Sequence, residues 1–321
     1  MYRVEVDWAE AYELAVSLHA YAATREHKTL EIGEKWVKDV RARISPAFAA
    51  ELAGYRELPL VKKLEVLIWQ CPGERDAPNF VRWLGGLSPG ALYELVAPYT
   101  STESMALLRD LGAQRDQLAH LLQAWDEQYF HAANKAILDG LAADAAAKRA
   151  LLAVMAPDAL AEAATGGVYL APIADVDVVV LVPQYHYRPW NLYGLHGRVR
   201  LNLYPADALP PARGEPPPDL LRLTRALADE SRLRILRFLA TTPRGFTDVV
   251  HDSGLAKSTV HHHLVALRAA GLVRVHDDGN GPVTYSLRPR ALDELGERLG
   301  LYLAHEAGGE RREAEEKPMA R

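Results

Sequence analysis

The sequence predicts a mostly helical α+β chain, with a helical amino-terminal domain ending in a small β-sheet and a small carboxyl-terminal domain of helices and one hairpin. Three observations predict it. From about Trp8 to Ala164 apolar residues recur at three- and four-residue spacings, as in Leu107, Leu108, Leu111, Leu118, Leu121 and Leu122, the period of amphipathic helices. From Gly166 the pattern turns β-branched and aromatic, with the run Val176 to Val182 and the alternating Val199, Leu201 and Leu203. The stretch LPPARGEPPPDL then interrupts the chain with five prolines, which remove backbone donors and hold it near polyproline geometry.

These breaks predict four segments: a helical domain with its sheet over 1–209, a semi-rigid linker over 210–218, a second domain over 219–305 and a flexible tail over 306–321. Within the first, Ser88-Pro89 reads as an N-cap with proline at the first helical position, and Gly54, Gly85-Gly86 and Gly140 sit where helices can end. Three or four strands follow, with Gly194 and Gly197 marking the turn before the last.

Composition narrows the function classes. The 321 residues are 49% apolar and 25% charged, ordinary for a folded soluble chain, and the single cysteine excludes an intrachain disulfide. No apolar run approaches a membrane span and the start, MYRVEVDWAE, lacks the pattern of a secretory signal, so the expected location is the cytoplasm, away from any membrane. The net charge of −5 hides an uneven distribution. Residues 216–289 carry ten basic and seven acidic side chains and five of the twelve histidines, the one positive block in the chain. Nucleic-acid binding is to be sought there.

In that block Asp229 is a candidate N-cap for a helix with Leu233, Leu236 and Leu239 as its apolar stripe. A short helix from Phe246 to Ser253 ends at Gly254, and a third runs from Lys257 to Ala270, closed by Gly271. Two helices joined by a turn of about four residues, the second amphipathic, make a helix-turn-helix. At 100° per residue, Val260, His263, Leu264 and Leu267 face a core, whereas Ser258, His261, His262 and Val265 face outward, with Lys257 and Thr259 at the helix start and Arg268 near its end. Leu272–Val275 and Val283–Leu287 alternate as a hairpin about Asp277-Asp278-Gly279-Asn280-Gly281, a wing on which Arg274 and Asn280 are the expected backbone contacts. The predicted DNA-binding set is thus Lys257, Ser258, Thr259, His261, His262, Arg268, Arg274 and Asn280.

The segments LADESRLRILRFL and GLAKSTVHHHLVALRAAGLV, with the hairpin after them, resemble the winged helix-turn-helix of the ArsR/SmtB family of bacterial regulators over roughly residues 219–305. The resemblance implies a homodimer that binds a double-stranded DNA operator and changes affinity with an inducer. It further implies that the helix from Ala291 to His305 pairs across a two-fold axis through Leu292, Leu295, Leu299 and Leu303. The family's metal sensors are not matched. The helix holding Asp248, His251 and Asp252 has no cysteine, and Asp293 with His305 does not complete a tetrahedral set, so no metal or other cofactor is predicted.

For the first domain the sequence offers an aromatic cluster: Tyr169, Tyr185, His186, Tyr187, Arg188, Trp190, Tyr193 and Tyr204. Aromatic faces with a few fixed polar groups suit a small-molecule effector pocket, for which Tyr185, Tyr187, Arg188, Trp190 and Tyr193 are the candidates, although core packing between sheet and helices is the simpler reading of the aromatics. Strand alternation puts Tyr185 and Tyr187 on one face and His186 and Arg188 on the other. Cys71 reads as a small apolar residue more readily than as an exposed redox thiol. His261, His262 and His263 are adjacent on a helix and cannot converge on one ion. Asp175 and Asp177 fit a solvated strand edge, and Lys148-Arg149 a solvated helix face. No GxGxxG, P-loop, GxSxG or HExxH spacing occurs, and no catalytic residue is predicted. The expectation is a sequence-specific DNA-binding transcriptional regulator, an effector-responsive repressor and not an enzyme. The alternative is a metabolite-binding or enzymatic amino-terminal module fused to a DNA-binding domain.

Overall fold

The computed structural model describes residues 2–100, 109–132, 135–170, 176–277 and 282–315, with 305–315 described by backbone alone. The chain divides into two compact units, residues 1–165 with 172–208, and residues 166–171 with 209–321.

In the first unit strand β1 (Arg3–Val6) leads into helix α1 (Glu10–Ala22), followed by α2 (Gly33–Arg43), α3 (Pro46–Glu51), α4 (Leu64–Gln70), α5 (Ala77–Gly86), α6 (Pro89–Val96), α7 (Leu111–Gln128), α8 (Lys135–Leu151) and α9 (Pro157–Ala164). Three of these helices start by one device. Ser45, Asp76 and Ser88 sit in extended backbone just ahead of a proline in the first turn, and their side chains accept from the N–H of Phe48, Asn79 and Ala91 at 3.2, 2.7 and 3.1 Å. Next in the chain, strand β2 (Val168–Leu170) belongs to the second unit.

Strands β3 (Val178–Gln184), β4 (Leu192–His196) and β5 (Val199–Pro205) join β1 in a four-stranded sheet of order β1-β3-β5-β4. β3 lies parallel to both β1 and β5, and β4 runs antiparallel to β5. Every residue of β3 is buried, and its apolar run over residues 178–182 accounts for most of that: Val178, Val180 and Val182 join the core built on α1, and alternation sends Val179 and Leu181 to the other face, where α8 packs. The helical core below centres on Tyr12, Leu14, Leu18, Phe80, Leu84, Leu118, Leu122 and Trp125.

The second unit holds helix α10 (Pro218–Leu227), α11 (Glu230–Leu239), strand β6 (Arg244–Gly245), α12 (Phe246–Ser253), α13 (Lys257–Ala269), strands β7 (Val273–Asp277) and β8 (Thr284–Leu287), and α14 (Ala291–Glu315). Its sheet has the order β2-β7-β8-β6: a hairpin extended on one side by the antiparallel β6 and on the other by the parallel β2. Arg298 of α14 binds Asp219 of α10 at 2.7 Å, fastening the last helix to the first.

Several expectations are corrected. Pro218 is the first residue of α10, not the last of a linker, and α14 continues past His305. β2 pairs in the second unit, so residues 166–171 leave the domain to which the sequence assigns them. Residues 185–189 form a turn, because β3 ends at Gln184, and Tyr185/Tyr187 versus His186/Arg188 do not sit on alternate strand faces. Gly140 lies inside α8: the Ala208 backbone approaches so closely that an added Cβ would stand 2.9 Å from the Ala208 Cα. Gly194 lies inside β4, and Gly197 alone occupies the turn, at φ +58°. Leu107, Leu108, Asp175, residues 278–281 and the tail beyond 315 lie outside the described residues.

Candidate nucleic-acid interface

The site is built on α13. Its axis is set by a core stripe, Val260, Leu264 and Leu267, packed with Ile235, Leu236 and Leu239 of α11 and Val249 of α12. Between α12 and α13 the chain reverses at Gly254, whose φ of +65° lies in the left-handed region that a side chain there would strain. Asp229 caps α11 by accepting from the Arg232 N–H at 2.9 Å. That backbone hydrogen bond, with the charges of Arg232 and His263, lowers its pKa. His263 Nδ1 stands 3.9 Å from the Asp229 carboxylate, which ties α13 to the head of α11 and gives His263 a packing role.

Burial of that stripe leaves Lys257, Ser258, His261 and His262 exposed and Thr259 half-buried at the start of the helix. The His261 and His262 rings stand 6.3 Å apart at 66°, side by side on the open face. Ala256 occupies the N-cap and has no side-chain oxygen, so the first-turn N–H groups of α13 receive no side-chain cap. That combination of donors, hydroxyl and imidazoles can meet phosphate oxygens and base edges. Arg268 is half-buried and, at 100° per residue, falls on the flank shared with Lys257 and His261.

On the wing, Arg274 of β7 is half-buried and its guanidinium stacks over the Tyr169 ring of β2, 5.0 Å from the centroid. The Tyr169 ring also meets His276 at 5.5 Å, and His276 Nε2 bonds the Ser286 hydroxyl at 2.8 Å. Tyr169, grouped by sequence with an effector cluster, thus packs against the predicted DNA-contacting arginine. Asn280 lies outside the described residues.

Residues 232–277 match the family model of the IclR helix-turn-helix domain. The chain therefore carries the helix-turn-helix of a DNA-binding transcriptional regulator, and its matched segment spans α11 to β7. The match is to the IclR type, not to ArsR/SmtB. An ArsR-like transcriptional regulator from Rhodococcus sp. RHA1 is similar to this chain at 24% identity, covering 31% of this chain and 95% of that one, with a TM-score of 0.24. No curated protein matches.

Most of the proposed effector residues have partners of their own. Tyr187 donates to the Glu26 carboxylate, Arg188 pairs with Asp207 while lying 3.9 Å over the Tyr185 ring, and Trp190 Nε1 donates to Thr29 at 3.1 Å. Tyr193 points outward from β4 at 62% exposure. Instead His186 enters a buried chain that the sequence did not reveal. The Glu13 carboxylate, fully buried on α1, accepts from the backbone N–H of His186 at 2.9 Å and is bonded by His186 Nδ1. His186 Nε2 meets the Tyr129 hydroxyl at 2.8 Å, which accepts from Trp36 Nε1 at 2.7 Å. Burial pushes the Tyr129 phenol up to about 12.

Cys71 is buried, which raises its thiol pKa. Asp177 pairs with Arg198, both exposed. Lys148 binds Asp144 at 2.9 Å, and Arg149 Nε donates to the Val6 carbonyl at 2.9 Å, so that helix face is tied down rather than merely solvated. Among the described residues no group of three or more His, Cys, Asp or Glu could hold a metal ion, and no helix is long and apolar enough to cross a membrane.

Proposed function

We propose that the protein is a homodimeric, sequence-specific transcriptional repressor acting in the cytoplasm, whose amino-terminal unit responds to a small effector. The carrying observation is α13 itself: one stripe is consumed by the core while Ser258, His261 and His262 remain open beside an uncapped helix start. Such a helix reads bases through its amino-terminal residues. Homodimerisation is supported by α14, whose Leu292, Leu299 and Leu303 are 53%, 40% and 62% exposed along one stripe, with Leu295 turned into the core.

The test is fluorescence anisotropy with the gene's own promoter and a scrambled duplex across a salt series. Specific affinity should exceed non-specific, and both should fall steeply with salt as phosphate contacts release counterions. Replacing Ser258 and His262 by Ala should weaken promoter binding by about 1–3 kcal/mol per lost base contact and leave the scrambled duplex nearly unaffected. Equal losses on both duplexes would assign these residues to the backbone, and equal affinities of the unmodified protein for both would remove the specific reading.

A further inference from the structure

Inside the first unit α1, α4, β4, β5 and the turns at 52–57 and 59–63 line a half-open cavity with about 50 Å³ open to the centre of a water-sized sphere. Its walls are apolar (Leu192 and Leu203 among them) and aromatic, from Tyr12 and Tyr55, and are interrupted by two titratable groups, His19 and Glu65. Burial, then the nearby Arg56, lowers the pKa of His19, which favours its neutral form. Glu65 is the one carboxylate among the lining residues. Its side chain is 25% exposed and stands 3.6 Å from His196 Nε2, beyond hydrogen-bond length.

His196 lies on the same inner face of β4 as Leu192 and Gly194. It is 2% exposed, yet neither ring nitrogen has a hydrogen-bond partner. The ring occupies space that exists because residue 194 is a glycine: a Cβ there would stand 3.1 Å from Cε1 and closer still to Nε2. Nearby cations are otherwise engaged. Lys63 Nζ donates to the Tyr99 carbonyl at 2.6 Å and Arg56 approaches Glu26 at 3.9 Å. A carboxylate without a hydrogen bond, next to a buried imidazole without one, is a polar arrangement still lacking its donor.

We infer that this cavity binds a small organic ammonium, its N–H groups donating to Glu65 beside His196 and its alkyl part lying against Tyr55, Leu192 and Leu203. A cation suits the site because a carboxylate and two tyrosines line it. Size limits the ligand: at roughly 10–15 Å³ per occupant of water size, the space takes about four non-hydrogen atoms, as in propylammonium. The site is independent of the DNA-binding reading, and none of Tyr185, Tyr187, Arg188, Trp190 and Tyr193, the effector residues expected on sequence grounds, lines it.

The test titrates propylammonium chloride into the full-length protein at constant ionic strength, following the His196 ring signals by nitrogen-15 NMR and the melting temperature. The expected result is a saturable shift of the His196 signals and a rise in melting temperature, with binding by 1-propanol at least about tenfold weaker for want of the charge. Glu65→Gln keeps the shape and should lose binding by a similar factor; should that variant not fold, the ammonium-to-alcohol comparison on the unmodified protein still decides. A His196 already satisfied by a direct ion pair with Glu65 would give no saturable shift. That result, equal binding of the alcohol, or undiminished binding by a folded Glu65→Gln variant each overturns the inference.

Discussion

Asp7 carries two bonds from Arg75, both at 2.7 Å, and a third from the Tyr12 hydroxyl at 2.8 Å, in a site where Asp7 and Arg75 are each only 17% exposed. Burial alone would raise its pKa, but the Arg75 hydrogen bonds and charge, with Tyr12, outweigh that and lower it below the ordinary 3.8. A carboxyl with a depressed folded-state pKa lends stability above its unfolded value and loses it as pH falls toward the folded one. Asp7→Asn should therefore cost about 3 kcal/mol at pH 7, the low end for breaking a buried pair since some solvent remains. The gap between the two proteins in urea melts should close below about pH 4; a gap unchanged at low pH would place the stabilisation elsewhere. Residues of this kind are only partly legible in sequence. The faces of α13 were, because helical period fixes which side chains share a side, and Val260, Leu264 and Leu267 are buried accordingly. Glu13 and His186 were not: their bond joins positions 173 apart, and no local pattern encodes it.

At the scale of elements, local signals succeeded and pairing partners did not. The β7–β8 hairpin, the Gly254 turn and the Asp229 and Ser88 caps each follow from residues within a few positions of one another. By contrast, β1 has a short alternating sequence, RVEV, that becomes a strand only by pairing with β3 some 175 residues on. β2 likewise becomes a strand only on meeting β7, where it brings Tyr169 to Arg274. Gly140 gives the clearest case of context reversing propensity. In an exposed helix interior Gly→Ala stabilises by about 1 kcal/mol. In α8 the new Cβ would overlap the Ala208 backbone, which is part of the chain and cannot rotate away. Gly140→Ala should therefore destabilise, by about 1–3 kcal/mol as overpacked cores do, in denaturant melts. Stabilisation by this substitution would mean that the segment at Ala208 can move aside without cost.

For the whole molecule, the chemistry of the reading head and the geometry of its target meet at α14. In the homodimer proposed above, two copies of α13 would meet half-sites about one helical turn apart, roughly 10 base pairs between centres, and so gain phosphate and base contacts that one copy lacks. The leucines that could hold them are on view: Leu299 and Leu303 stand one turn apart on α14, exposed in the single chain, while Arg298 and Leu295 fasten the same helix to its own unit. Charge on that stripe should separate association from folding. Leu299→Glu with Leu303→Glu should leave the melting temperature nearly unchanged, since neither side chain lies in the core, and convert a dimer to a monomer in sedimentation equilibrium. A monomer touches half the phosphates, so the slope of log affinity against log salt should fall to about half its former value, and the preference for the promoter over scrambled DNA should shrink with it. A variant that stays dimeric would show that another surface joins the protomers. One that becomes monomeric with an unchanged salt slope would show that each reading head already binds alone.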